Sequence, residues 1–312
     1  MVGLKIPGVR ALDHFIKKGV LPQDPVEVKL SAEDEIAPID IVGKPTATQA
    51  QYDDLVHYFK YASTAYAIIL PGPSLIPVRP NGQKLCAKMY HMLTDTHGYV
   101  ARDDTRKEIV VAFRGSVTPM NFVTDAMGLM VDWDASHVIA PAETKVHMGF
   151  QKAWRTVSDK TLAAVTLELA ANPGYSIVVT GHSLGGALAS IAGVTLQMTF
   201  PTAEVRYYTY GQPRVGNEAF ANWIHTLIGP HRLFRVVHAS DGVPTMAPRT
   251  IGFAHHGTEY WCHSPHSPAQ TRICNAAGLA EDPAGSMKGI STGINPAHLM
   301  YFGIFYMTPY LF

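Results

Sequence analysis

The chain has 312 residues, 47% of them hydrophobic and 16% charged, with 25 lysines and arginines against 25 aspartates and glutamates. That composition belongs to a globular protein and excludes a disordered one. A net charge near zero offers nothing to a nucleic acid or to an anionic membrane surface.

Residues 1–45 carry five prolines (Pro7, Pro22, Pro25, Pro38, Pro45) and no sustained period. They read as an extension wrapped on the surface, or as a pro-like segment. The opening "MVGLKIPGVRALDHFIKKG" lacks the apolar core of a signal peptide, so the chain is either intracellular or already in a mature form. From Thr46, helical spacing places Leu55, Phe59, Ala62 and Tyr66 on one face. A strand follows at 84–93, then "GYVARDD" as a turn, then the strand "TRKEIVVAFRG". The segment from Lys145 opens into a helix that stops at Asn172-Pro173-Gly174.

The strand "SIVV" (176–179) runs into "TGHSLGG" (180–186) and a small-residue helix. Another strand (205–211), a helix (217–228) and the strand "HRLFRVVH" (231–238) come next. Strands alternating with helices predict an α/β fold with a mostly parallel central sheet. No domain boundary is visible after residue 46, so 46–312 reads as one domain. The C-terminal "HLMYFGIFYMTPYLF" is the most apolar stretch but contains Pro309, and no run reaches the roughly 18–20 residues that span a bilayer. It reads as a buried strand and tail.

Three cysteines leave at least one unpaired within a monomer. Cys262 and Cys274 flank a turn-rich segment, and a disulfide between them is one reading; Cys86 reads as a core residue. No Cys or His pair has metal-site spacing, so no metal is expected.

Gly181-His182-Ser183-Leu184-Gly185 fits G-x-S-x-G. A strand that turns sharply into a helix strains the central serine and needs small residues on either side. The turn lifts the hydroxyl above the sheet at a helix N-terminus, where developing negative charge is favoured. Ser183 therefore reads as a nucleophile, which needs a base and an acid to orient that base. Folds with this turn run Ser, then Asp or Glu, then His. Six carboxylates follow Ser183, and Asp241 fits best because it lies just beyond the strand "LFRVVH". Five histidines follow Asp241 (His255, His256, His263, His266, His298), and spacing favours His298 only slightly.

The blocks "IVVAFRGS", "NFVTDA", "KVHMGF", "VTGHSLGGALA", "YGQPRVGNEAFANW", "RVVHASDGVPTMAP", "GTEYW" and "NPAHLMYFGI", in this order, resemble the fungal class 3 lipases. That family includes the Rhizomucor and Thermomyces triacylglycerol lipases and the related type-A feruloyl esterases. The resemblance runs from about residue 46 to the end. It implies an α/β-hydrolase fold with helices on both faces of the sheet, and a triad of Ser183, Asp241 and His298. It implies oxyanion donors at the Leu184 N–H and at Ser116, and supporting hydrogen-bonding roles for His182 and His147. It also implies a short helical lid at 117–133, whose apolar face would carry Phe122, Val123, Met127 and Met130. Phe122 stands where the lipases often have tryptophan. Cys274 matches a family cysteine whose usual partner is missing here, so the family's disulfide framework does not transfer.

The sequence thus predicts a carboxylic ester hydrolase, most readily a triacylglycerol lipase, acting on an ester substrate at a lipid–water interface. No cofactor is called for, nor a nucleic-acid partner or a transmembrane segment. The family implies secretion, and a monomer is assumed. A feruloyl- or chlorogenate-type esterase on soluble esters is the alternative within the class, and a non-catalytic lipid-binding protein the alternative outside it.

Overall fold

The structure is a computed structural model, and it describes residues 45–68, 78–116, 128–134, 138–274, 281–283, 285–288 and 293–312. In chain order it contains helix α1 (Gln49–Thr64), strands β1 (Lys84–His91), β2 (Thr96–Asp103), β3 (Glu108–Phe113), β4 (Met130–Asp132) and β5 (Lys145–His147). Helices α2 (Met148–Arg155) and α3 (Ser158–Ala171) follow, then β6 (Ser176–His182), α4 (Leu184–Thr199), β7 (Val205–Tyr210), β8 (Gly216–Asn217) and α5 (Glu218–Ile228). The chain continues with β9 (Leu233–His238), β10 (Phe253–Ala254), β11 (Thr258–Cys262), β12 (Thr271–Cys274), α6 (Pro296–Leu299), β13 (Met300–Tyr301) and β14 (Ile304–Phe305).

Eight strands form the main sheet in the order β1-β2-β3-β6-β7-β9-β11-β12. Its centre, β3 to β11, is parallel, and both flanks are antiparallel. Strands covered on both faces must be apolar throughout, and β3, "EIVVAF", is buried along its whole length. The period of two sends Ile109, Val111, Ile177, Val179 and Tyr207 to one face, under α2 to α5. Val110, Ala112, Val178, Tyr208 and Tyr210 face the other side, under α1 and the C-terminal tail. Helix α1 starts at a capping box between Thr48 and Gln51 and buries Leu55, Phe59 and Ala62, the predicted face. Helix α4 can lie flat on the sheet because Gly193 meets the Tyr207 ring, where a Cβ would sit 2.3 Å away.

Three readings change. The segment "GYVARDD" is not a turn but most of β2, paired with both β1 and β3. Its Gly98 is a close-approach glycine, since a Cβ there would lie 2.7 Å from the Ala112 carbonyl oxygen. Met130 sits in β4, opposite His147, and so is not on a helical face. Phe122, Val123 and Met127 lie outside the described residues, as does the extension over residues 1–44. No disulfide joins Cys262 and Cys274. They do lie on the two strands of a hairpin, but Cys262 pairs with Thr271 and Cys274 with Glu259, at opposite ends of the ladder and beyond the reach of a disulfide.

The last stretch is α6, a two-residue hairpin and a tail that returns to the start of the domain. Arg79 N–H donates to the Leu311 carbonyl (2.7 Å) and Asn81 N–H to that of Tyr310 (2.7 Å). Among the described residues, no helix is long and apolar enough to cross a membrane.

Candidate active site

Ser183 sits between β6 and α4 at φ 59°, ψ −128°, a conformation rarely populated outside glycine. Its surroundings enforce the strain. A Cβ on Gly181 would stand 2.2 Å from the Gly185 carbonyl oxygen, and one on Gly185 would stand 2.2 Å from that of Phe113. Strand and helix therefore pass at backbone distance. Ser183 N–H donates to the Tyr210 carbonyl at 2.8 Å, fixing the turn to β7. Leu184 is the first residue of α4, so its N–H belongs to the orphan donors of a helix N-terminus.

Ser116 follows β3 by way of Arg114 and Gly115. The Arg114 guanidinium is buried and pairs with Asp95 at 2.6 Å. A Cβ on Gly115 would come within 2.7 Å of the His182 carbonyl oxygen and 3.0 Å of Ser183 Cβ. Only glycine there lets the Ser116 segment lie beside Ser183.

Asp241 stands in the turn after β9, with its side chain fully buried. Its carboxylate accepts hydrogen bonds from His298 Nδ1 (3.0 and 2.9 Å), from the Tyr301 hydroxyl (2.6 Å) and from Val243 N–H (2.9 Å). Burial alone would push this carboxyl up. The facing His298 charge and the hydrogen bonds outweigh burial and hold it below the usual aspartate value. His298 is in the first turn of α6, where Asn295 caps the helix by accepting from His298 N–H at 3.2 Å. The Asn295 side chain also donates to the Ser240 carbonyl at 2.7 Å, tying the histidine segment to the aspartate turn. With Nδ1 committed to Asp241, Nε2 is the ring nitrogen left for Ser183. Among the described residues no hydrogen bond joins Ser183 Oγ to His298 Nε2; such contacts often tighten only with substrate in place.

Four of the other candidates from spacing are used elsewhere. His255 binds the Pro244 carbonyl, and His256 meets Ser190 Oγ in the core. Glu281 is paired with Arg214, and Glu259 with Arg235. His182 places its Nε2 2.9 Å from the His298 carbonyl oxygen, and the two rings lie 4.4 Å apart. His147 caps α2, accepting from Phe150 N–H, with its ring stacked on Phe150. No group of three or more His, Cys, Asp or Glu among the described residues is arranged to hold a metal ion.

Two residues of the site went unremarked in the sequence. Tyr301 lies three positions after His298, past the end of α6 in β13. Gly211 has φ +56°, and a Cβ on it would lie 2.7 Å from Asp241 Oδ2 and 2.8 Å from His298 Nδ1 and Cε1. It is the floor under the Asp–His pair. A glycine ending an apolar strand, "YYTYG", was the available signal.

Such an arrangement suits nucleophilic attack on a carbonyl carbon: a raised serine, a histidine oriented by a buried carboxylate, and N–H groups beside both. The chain is also similar to known proteins. Residues 110–251 match the family described as lipase (class 3). The chain is 31% identical over 269 residues to a lipase of Rhizomucor miehei, covering 84% of this chain and 71% of the relative. It is 30% identical over 284 residues to a secreted alkaline triacylglycerol lipase of Penicillium cyclopium, covering 91% and 94%. The crystal structure of a lipase from Rhizopus microsporus var. chinensis superposes with a TM-score of 0.75 at 33% identity, over 92% of this chain and 96% of that one.

Proposed function

The chain belongs to the class 3 lipase family, and from that membership we propose an acylglycerol lipase that works through an acyl-enzyme on Ser183. The observation that carries the assignment of residues is the buried Asp241–His298 pair, 2.9 Å apart, with its ring 4.4 Å from that of the residue preceding Ser183.

Ser183 Oγ attacks the ester carbonyl carbon while its proton passes to His298 Nε2. Asp241 holds Nδ1–H in place and stabilises the imidazolium without taking the proton. The carbonyl π bond opens to a tetrahedral oxyanion, held by the N–H groups of Leu184 and Ser116; each such donor is worth roughly 10²–10³ in rate. Collapse expels the alcohol, which takes the proton from His298. Water then repeats the sequence, releasing the carboxylic acid and restoring Ser183.

Leu129 and Met148 support an interfacial substrate. Both expose large apolar side chains, and Met148 N–H donates to the Leu129 carbonyl, so they stand side by side on the surface. In sequence Leu129 comes just after the 117–127 segment. Secretion is proposed from the similarity to the Penicillium cyclopium protein, and 46–312 is read as one domain. The test is the initial rate on tributyrin taken through its solubility limit, with Ser183→Ala as control. A jump as the emulsion forms, absent in S183A, is expected. Smooth saturation refutes interfacial action, and turnover by S183A refutes the nucleophile.

A further inference from the structure

The oxyanion donor at Ser116 and the base at His298 come from segments far apart in the chain, and something must hold one against the other. Tyr66 lies just beyond α1, buried, with its ring edge-on to Tyr306 at 4.8 Å. Its hydroxyl is 2.9 Å from His182 Nδ1, and His182 Nε2 is 2.9 Å from the His298 carbonyl oxygen. A carbonyl can only accept, so Nε2 must carry the hydrogen. Burial first, and the facing charge of His298 second, push the His182 pKa well down, so its ring is neutral. A neutral imidazole has one N–H, which makes Nδ1 the acceptor and Tyr66 the donor. The Tyr66 oxygen keeps its lone pairs for the Gly115 backbone N–H, which approaches it. Gly115 fits there because it has no side chain: a Cβ would stand 2.1 Å from that oxygen. Hydrogen bonds thus run in one direction from the Ser116 segment, through Tyr66 and His182, to the backbone of His298.

We propose that Tyr66 is a positioning residue for ester cleavage: its hydroxyl locks His182 in the Nε2–H form and so fixes the Ser116 segment relative to His298. A neutral ring beside His298 also adds no repulsion to the imidazolium that forms there. The proposal rests on reading Ser183 and His298 as the reacting pair.

Tyr66→Phe keeps the ring and its contact with Tyr306 and removes only the donor. We expect kcat on a soluble p-nitrophenyl ester to fall roughly tenfold to a hundredfold, with KM within about twofold. We also expect the acid limb of kcat/KM to move to higher pH. Without the tyrosine donor the bare Nδ1 lone pair loses its hydrogen-bond partner, so the neutral ring is less favoured and His182 takes up a proton more readily beside His298. A packing role alone would lower Tm and leave the pH profile in place, and that result overturns the proposal. Independently of the variant's folding, ¹⁵N spectra of the wild-type histidine rings must show His182 protonated at Nε2; protonation at Nδ1 overturns it. Fluorophosphonate labelling separates the two claims. If wild-type Ser183 is labelled but Y66F matches the wild type in kcat and pH profile, this inference alone fails. If Ser183 is not labelled, the functional reading fails and takes the inference with it.

Discussion

Replacing Gly211 with alanine tests whether the Asp241–His298 pair depends on the backbone beneath it. An alanine at φ +56° carries a left-handed strain of roughly 1–2 kcal/mol. Its Cβ would lie 2.8 Å from His298 Nδ1 and Cε1, where ordinary contact begins at 3.4 Å, so the ring must retreat by about 0.6 Å or the backbone must move. A misplacement of about 1 Å in catalytic geometry costs on the order of 10² in rate, so kcat should fall roughly tenfold to a hundredfold. The assay is hydrolysis of p-nitrophenyl butyrate below its solubility limit, with Tm measured alongside. Gly174→Ala is the matched control, since φ there is +84° and nothing lies within 4 Å of the new Cβ. It should lose a few degrees of Tm at most and keep full kcat. If G211A retains more than a third of the wild-type kcat, or if G174A loses as much, displacement of His298 is the wrong explanation.

Tyr301→Phe removes a 2.6 Å hydrogen bond to Asp241 and should lower kcat about tenfold. Asp241 is depressed in the fold, so its stabilisation is present above its unfolded pKa and lost as pH falls through the folded one. Y301F raises the folded value and should move that loss to higher pH, read as Tm against pH; an unchanged curve counts against the bond. His238 is pushed down to about 4, chiefly by burial, and donates to the Ala297 carbonyl. The unfolded state therefore binds a proton that the folded one refuses between pH 6.5 and about 4, at a cost of about 3 kcal/mol across that window. His238→Asn should flatten this part of the curve, and an equal slope in both proteins would contradict it. Reductant should leave Tm and activity unchanged, because no disulfide links the three cysteines; a fall in Tm would show a bond that the structure lacks.

Local geometry explains which parts of the site were legible. The strained turn at Ser183 writes itself into adjacent glycines, because backbones must pass within a few ångströms. Asp241 was legible from its place after a strand of a parallel sheet. His298 was not separable from four other histidines by spacing, because its partner lies 57 positions away in sequence; the resemblance supplied it. Gly98 was read as punctuation, since a glycine required by a neighbouring strand's carbonyl looks the same in one dimension as a turn glycine. The cysteine hairpin shows a related limit. Flanking a turn predicts strand partners, but register decides which residues meet, and three positions of ladder separate these two.

Ser116, Ser183 and Asp241 each follow a different strand of the main sheet, His298 stands in α6, and no two are local to one another. In a refolding experiment, ester cleavage would therefore be among the last signals to return. Helical content can recover as soon as α3 and α4 form, while cleavage waits until β3, β6, β7 and β9 have paired in order and α6 has docked on the turn after β9. Turnover is then a stringent gauge of whole-sheet assembly. A preparation with normal circular dichroism but reduced specific activity would most simply be one in which part of the population stopped before that final docking.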